Sequence, residues 1–384
     1  DEQPESVVIV GGGAAGLAAA LKLRRSGYER PLTLVSAEND PPYDRPNLSK
    51  DYLAGNAPEE WMALRPDEFY RENAIELELG SAVLELDATR RKLKLQGGRE
   101  LSFDRLLLAT GATPVRVQIP GGEPDRVFYL RSFADCRAIL ARAASAKRAV
   151  VLGSSFIALE VAASLRSRGL DVHIVGRDAV PMRRVLGEQV GDFLRRLHES
   201  RGTVFHLGTT IAGIAGEQVS LSNGTTLAAD LVVVGAGVRP LDDLARAAGI
   251  ATNNGVTVDD YLMTSVNGIY AAGDIASWPG KRSGERLRVE HWVVAQRLGE
   301  TAARNMLGAR ERFTAAPFFW TQQFDVTINY VGHASGSDSI RIEGDLEQRD
   351  CAIRYEREGR LLAVATVSRD LESLLAELEL ERDH

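Results

Sequence analysis

The sequence predicts an α/β protein in which one strand–turn–helix–strand unit occurs twice, with a small α+β domain behind the second copy. Three observations carry that prediction. First, VVIV (7–10) and RAVVLG (148–153) contain short β-branched runs, the pattern of strands buried on both faces of a parallel sheet. Second, each run is followed by a Gly- or Ser-bearing turn, a helical stretch ended by glycine, and another apolar strand, all within about 30 residues as a right-handed crossover requires. Third, each copy has a later partner segment, FDRLLLATGATP (103–114) and ADLVVVGAGVRP (229–240), in which Asp104 and Asp230, Gly111 and Gly237, and Pro114 and Pro240 all stand 126 positions apart.

The first unit carries Gly11-x-Gly13-x-x-Gly16 directly after its strand and at the head of its helix. Gly11 makes the tight turn, Gly13 lets the backbone approach a pyrophosphate, and Gly16 lets helix and strand pack closely. The anion then rests on free N–H groups at the helix N-terminus. This is a Rossmann-like dinucleotide site. Its second strand (LTLVS) ends in Ser36-Ala37-Glu38, so Glu38 is the candidate for the adenosine ribose hydroxyls. The second unit, VLGSSFIALE (151–160), keeps Gly153 but has Ser155 and Ala158 at the other two glycine positions. Ser155 narrows the approach by one small hydroxyl that could donate to phosphate, and Ala158 satisfies a slot that needs only smallness. An adapted site is expected, with Gly235 at the end of its partner strand.

GIYAAGDIASWP (268–279) reads as a strand returning to the first sheet, and residues 315–384 read as alternating strands split by Gly-bearing turns before a short helix. The expected division is 1–114 with 241–314 as one discontinuous domain, 115–240 as the second, and 315–384 as the third.

Composition narrows the chemistry. The 384 residues carry 46 basic and 53 acidic side chains for a net charge of −7, which argues against bulk nucleic-acid binding. Basic clusters at Arg183-Arg184, Arg195-Arg196 and Lys281–Arg288 read as solvated faces. No apolar run reaches the ~18 residues of a membrane span. The two cysteines, Cys136 and Cys351, lie far apart and outside any C-x-x-C, which removes redox dithiols and thiolate-held metal sites and makes a cytoplasmic setting the expectation.

PPYDRPNLSK (41–50), LLATGA (107–112), FIALE (156–160), YAAGDIA (270–276), RVEHW (288–292) and PFFW (317–320), in that order, resemble the FAD-dependent ferredoxin, rubredoxin and putidaredoxin reductases and apoptosis-inducing-factor-like flavoproteins of the pyridine nucleotide-disulfide oxidoreductase superfamily. The likeness runs from about residue 6 to residue 335 and is loose beyond. It implies a glutathione-reductase-like arrangement, with an FAD domain interrupted by an NAD(P)H domain. It assigns Gly11, Gly13, Gly16, Glu38, Arg45, Lys50, Thr110, Gly111, Arg131, Asp274, Trp292 and Trp320 to FAD, with Phe319 as a possible neighbour of the tryptophans. It assigns Gly153, Ser155, Phe156, Ile157, Glu160, Arg177, Arg184 and Gly235 to NAD(P)H.

In such relatives a Lys50/Glu160 bridge spans the two domains at the reacting face, and Phe156 shields the flavin and stacks on nicotinamide; these three are the catalytic candidates. Relatives that prefer NADH carry Glu at the position of Gly176. Gly176-Arg177 here, with Arg183 or Arg184 nearby, implies acceptance of NADPH, with NADH kept open. Lys50 stands where peroxide and disulfide reductases of neighbouring families place a redox cysteine. The resemblance therefore implies hydride transfer from NAD(P)H to FAD and single electrons passed to a ferredoxin or Rieske-type [2Fe–2S] partner. Such a module is fused ahead of the flavin domain in some relatives, and the start at Asp1 fits its loss. An apoptosis-inducing-factor-like redox-sensing scaffold and an NAD(P)H oxidase or quinone reductase remain alternatives, as do monomer and homodimer.

Overall fold

The computed structural model describes residues 3–280 and 284–382, which leaves Lys281 and Arg282 of the third basic cluster outside the described residues. The first sheet is wholly parallel, in the order Ile269–Ala271, Arg105–Leu108, Val7–Val10, Leu32–Val35, Ile75–Glu78. The chain does return to it late, through Ile269–Ala271 against Arg105–Leu108. The second sheet is also wholly parallel and ordered Val204–Leu207, Asp171–Gly176, Arg148–Leu152, Leu231–Val234, Val127–Tyr129. In both, the strand before the glycine turn is central and carries a run of four buried apolar residues, Val7–Val10 in one and 149–152 in the other, so it is covered from both sides.

The passages between the two sheets lie side by side, because Ala112–Pro114 pairs antiparallel with Val238–Pro240. The expected boundaries at 114/115 and 240/241 fall at this ladder. Two three-stranded meanders were not legible in the sequence. Val83–Asp87, Lys92–Leu95 and Glu100–Ser102 form one, and Ile211–Ala215, Gln218–Leu221 and Thr226–Ala228 the other. Each precedes the partner strand of its own unit, so the duplication extends to them.

The last segment is a five-stranded antiparallel sheet, Phe318–Gln323, Val326–Gly332, Arg360–Val367, Asp350–Arg357, Ser339–Asp345, covered by the helix Asp370–Arg382. The stretch FFWTQQFDVTINYVG, which contains no glycine before its end, folds into two strands, with the hairpin turning at Phe324 in the left-handed region at φ 56°. The helix buries Ser373, Ala376 and Leu380 and leaves Leu371, Leu374, Leu375 and Leu378 exposed. Leu374→Gln should therefore change unfolding free energy by no more than about 0.5 kcal/mol, whereas Leu380→Ala should cost about 2–5 kcal/mol. Urea titrations distinguish the two, and a large loss from Leu374→Gln would mean that this face is covered in solution.

One apolar cluster joins the three parts. Tyr43, Leu48 and Tyr52 from the loop after the first unit meet Leu159 and Ala162 of the Phe156–Ser167 helix and Phe319 and Tyr330 of the last sheet. The candidate site sits at this junction.

Candidate active site

The two glycine turns differ in what crowds them. At Gly11, with φ 122°, an added Cβ would lie 1.9 Å from the Ala109 carbonyl oxygen, and at Gly16 it would lie 1.9 Å from the Gly11 carbonyl oxygen. At Gly13 it would meet nothing within 4 Å. Two glycines are thus demanded by the protein's own packing, while the third borders open space at the N-terminus of the Ala14–Arg25 helix. That combination fits a dinucleotide pyrophosphate, because free N–H groups point into room that no protein atom fills.

Beyond the turn, Glu38 at the end of the second strand receives Arg45 at 2.9 Å and the Tyr43 hydroxyl at 2.7 Å. Arg45 also donates to the Arg131 carbonyl at 2.6 Å, and Arg131 pairs with Asp274 at 2.6 Å and donates to the Ala112 carbonyl at 3.0 Å. Glu38, Arg45, Arg131 and Asp274 therefore form one connected polar line. Thr110 spends its hydroxyl proton on the Leu241 carbonyl at 2.9 Å, which ties the first sheet to the returning chain. Gly111, at φ 71°, lies against Arg131.

In the second unit Gly153 approaches the Gly235 carbonyl, and Gly235 is confined by Ala158, whose Cβ would stand 2.9 Å from an added one. Ser155 caps the Phe156–Ser167 helix by accepting from the Ala158 N–H at 3.4 Å, and it donates to the Gly235 carbonyl at 3.2 Å. Its hydroxyl proton is thus directed to the Gly235 carbonyl. Ile157 is exposed in the first helical turn. At the end of the second strand Arg177 is exposed and Arg184 pairs with Asp178 at 3.3 Å. A Cβ at Gly176 would sit 3.3 Å from both Ser154 side-chain atoms.

The buried centre is Glu160, 2% exposed. It accepts from Lys50 Nζ at 2.9 Å and Ser49 Oγ at 2.5 Å on one oxygen, and from Thr321 Oγ1 at 2.7 Å on the other. Lys50 also donates to the Pro46 carbonyl at 3.2 Å and lies 5.6 Å from the Trp320 ring centre. Phe156 contacts Phe319 edge-on at 4.7 Å, and Phe319 in turn touches His291 and Tyr330. Trp292 begins the Trp292–Met306 helix and packs on the first core.

Sequence reasoning missed Ser49, Thr321, Gln323, His198 and His291. A signal existed for two of them: along Phe318–Gln323 the buried positions alternate as Phe319, Thr321, Gln323, so two polar side chains occupy an inward-facing stripe. Ser49 and His291 stood inside the motifs PPYDRPNLSK and RVEHW without being singled out, and His198 had no signal.

All five described histidines are held below their ordinary pKa, with burial the leading cause, and His198 and His291 fall to about 4. An unfolded histidine titrates near 6.5, so between about pH 6.5 and 4 the unfolded chain binds more protons and stability drops as pH falls. The urea midpoint should therefore hold above about pH 6.5 and decline below it. A flat midpoint down to about pH 5 would contradict neutral buried imidazoles. Neither thiol is poised for chemistry. Both cysteines are buried and free, and burial pushes Cys136 up to about 12.

Residues 5–299 match the pyridine nucleotide-disulphide oxidoreductase family and residues 318–383 the reductase C-terminal family. Apoptosis-inducing factor 3 of Homo sapiens is 33% identical over 95% of this chain, which spans only 61% of that protein. Putidaredoxin reductase CamA of Pseudomonas putida is 35% identical over 96% of this chain and 90% of its own length. The crystal structure of the covalent putidaredoxin reductase–putidaredoxin complex superposes with a TM-score of 0.95 at 33% identity, covering 99% of this chain and 94% of that one. A family match over residues 5–299 and a relative 35% identical over 90% of its own length show that the chain belongs to the pyridine nucleotide-disulphide oxidoreductase family.

Proposed function

We propose that the chain is a flavoprotein reductase that takes hydride from NAD(P)H onto FAD and delivers single electrons to a small iron–sulfur protein. The observation that carries this reading is the buried Lys50–Glu160 pair at the meeting point of both glycine-turn units, in a chain whose two thiols are both buried. FAD would supply the conversion of a two-electron donation into single-electron steps. The chain's residues do the rest. Gly11, Gly13 and Gly16 with the helix N-terminus would cradle its pyrophosphate, and Glu38 would meet the adenosine ribose while Arg45 holds that carboxylate in place. Thr110 and Gly111 line the same passage. Asp274, held by Arg131, is a ready acceptor for sugar-chain hydroxyls.

Lys50 would place a cation beside the reacting rings, and Glu160, paired with it at 2.9 Å, would fix its position. Phe156, Phe319 and the two tryptophans Trp292 and Trp320 exclude water from the transfer. On the coenzyme side Gly153, Ser155, Ile157 and Gly235 shape the second turn. Gly176 leaves no carboxylate to repel a 2'-phosphate, and Arg177 is exposed beside it; Arg184 would have to leave Asp178 to help. The partner is a ferredoxin or a Rieske-type [2Fe–2S] module, whether separate or fused. A cytoplasmic setting goes with this reading, and among the described residues no helix is long and apolar enough to cross a membrane.

Purified protein should be yellow, with bands near about 370 and 450 nm that bleach anaerobically with NAD(P)H and recover on adding a [2Fe–2S] ferredoxin. Reduction of quinone or oxygen but not ferredoxin would favour an oxidase or quinone reductase. Turnover well below about one per second with every acceptor would favour a redox-sensing scaffold. NADPH should be accepted at least as well as NADH. Gly176→Glu should shift the ratio of kcat/KM towards NADH by tenfold or more, roughly one lost charge–charge contact, and most cleanly when Ser154→Gly makes room. A large NADH advantage in the parent would overturn the NADPH part.

A further inference from the structure

We infer that Thr321, Gln323 and His198 form a one-directional hydrogen-bond relay that positions the Glu160 carboxylate, and through it the Lys50 ammonium, at the reacting face. The inference rests on the reading of that face given above. Glu160, as the partner of Lys50, presents a carboxylate and can only accept. Thr321 Oγ1, 2.7 Å from Glu160 Oε1, has one proton and gives it there. Its oxygen can then only accept from Gln323, whose Nε2 lies 3.3 Å away. This fixes the amide, with Gln323 Oε1 turned to His198 Nε2 at 2.9 Å. That oxygen accepts only, so His198 must carry its proton on Nε2.

The far end agrees independently. His198 Nδ1 is buried and makes no hydrogen bond. A neutral imidazole protonated on Nε2 leaves Nδ1 as a bare acceptor, which costs less to bury than an unpaired N–H of a cation. Each member thus has one orientation compatible with its neighbours. Glu160, Thr321, Gln323 and His198 are 2%, 1%, 1% and 0% exposed, so no solvent replaces a broken link.

The relay crosses all three parts of the fold. His198 belongs to the helix Glu188–Ser200 of the second unit, Thr321 and Gln323 to the first strand of the last sheet, and Lys50 to the segment that follows the first unit. That strand reaches Lys50 twice. Its inward residue Thr321 acts through Glu160, and the intervening residue Trp320 offers its ring face 5.6 Å away. Thr321, Gln323 and His198 are therefore positioning residues.

The decisive variants are Thr321→Val, which keeps the branched shape and removes the donor, and Thr321→Ser, which keeps the donor. In flavin-loaded protein, Thr321→Val should slow flavin reduction at saturating NAD(P)H roughly tenfold with KM changed less than about twofold. It should also lower the midpoint potential of the bound flavin, because a less tightly held ammonium stabilises the reduced ring less. Thr321→Ser should restore both. Ring-nitrogen NMR should find His198 as the neutral Nε2–H tautomer at neutral pH. Parent-like rate and potential in Thr321→Val, failure of Thr321→Ser to restore them, or a cationic or Nδ1–H His198 would overturn the relay. A parent that binds no flavin would count against the proposed function instead, and the NMR measurement would still decide the relay.

Discussion

Lys50→Met should destabilise the protein by about 3–5 kcal/mol, the usual cost of stripping one partner from a buried ion pair. Glu160 is 2% exposed and the Lys50 side chain 11% exposed, so water cannot take the ammonium's place. The Ser49 and Thr321 hydroxyls would remain as donors, but two neutral donors do not neutralise a buried carboxylate. Adding Glu160→Gln to Lys50→Met should therefore recover much of the loss, since the charge disappears and the amide oxygen can still accept. The single Glu160→Gln variant should cost less stability than Lys50→Met, because Lys50 retains the Pro46 carbonyl and the Trp320 face. Urea titration of the three variants measures this. If the double variant is no more stable than Lys50→Met, the pair is not an isolated buried charge balance. Hydride transfer should suffer in all three, since the cation or its anchor is gone in each.

How much of this could be read in advance follows from how local each feature is. Gly11, Gly13 and Gly16 were legible because a tight turn, an open approach and a close helix–strand contact are met within six residues. The duplicated sheet was legible because a central parallel strand must be apolar on both faces, as VVIV (7–10) and AVVL (149–152) are. The Lys50–Glu160 bridge was reached only through family resemblance, since 110 residues separate the partners and neither local pattern points to the other. The capping role of Ser155 went unread for a related reason. A hydroxyl at a helix start has a capping role and a ligand role, and the neighbouring Gly235 carbonyl that decides between them lies 80 residues away. His198 was invisible. Its surroundings in the Glu188–Ser200 helix resemble any amphipathic segment, and only Gln323 from another domain gives it meaning.

Gly13→Val should yield a folded protein that purifies nearly colourless, whereas Gly11→Ala should fail to fold. The two glycines sit two residues apart in one motif, yet the physical demands on them are opposite. Gly11 adopts φ 122°, and its Cβ would be driven to 1.9 Å from the Ala109 carbonyl oxygen, so a single methyl must displace the adjoining strand of the sheet. Strain of that kind costs more than about 3 kcal/mol, a large part of the stability of a typical domain. Gly13 has φ −82° and ψ −164°, an extended conformation open to any residue, and an added Cβ contacts nothing. Its substitution should leave the melting temperature of flavin-free protein within a few degrees, about the shift of a neutral surface change. The space it takes is the space in front of the helix N-terminus, where the pyrophosphate must come within hydrogen-bonding distance of the backbone N–H groups. Valine there should weaken FAD binding by two orders of magnitude or more, roughly the loss of two charge-assisted hydrogen bonds. Flavin titration followed by fluorescence, beside circular-dichroism melts of the flavin-free proteins, separates the two effects. A Gly13→Val protein that keeps one flavin per chain would mean that the cofactor does not lie across this turn.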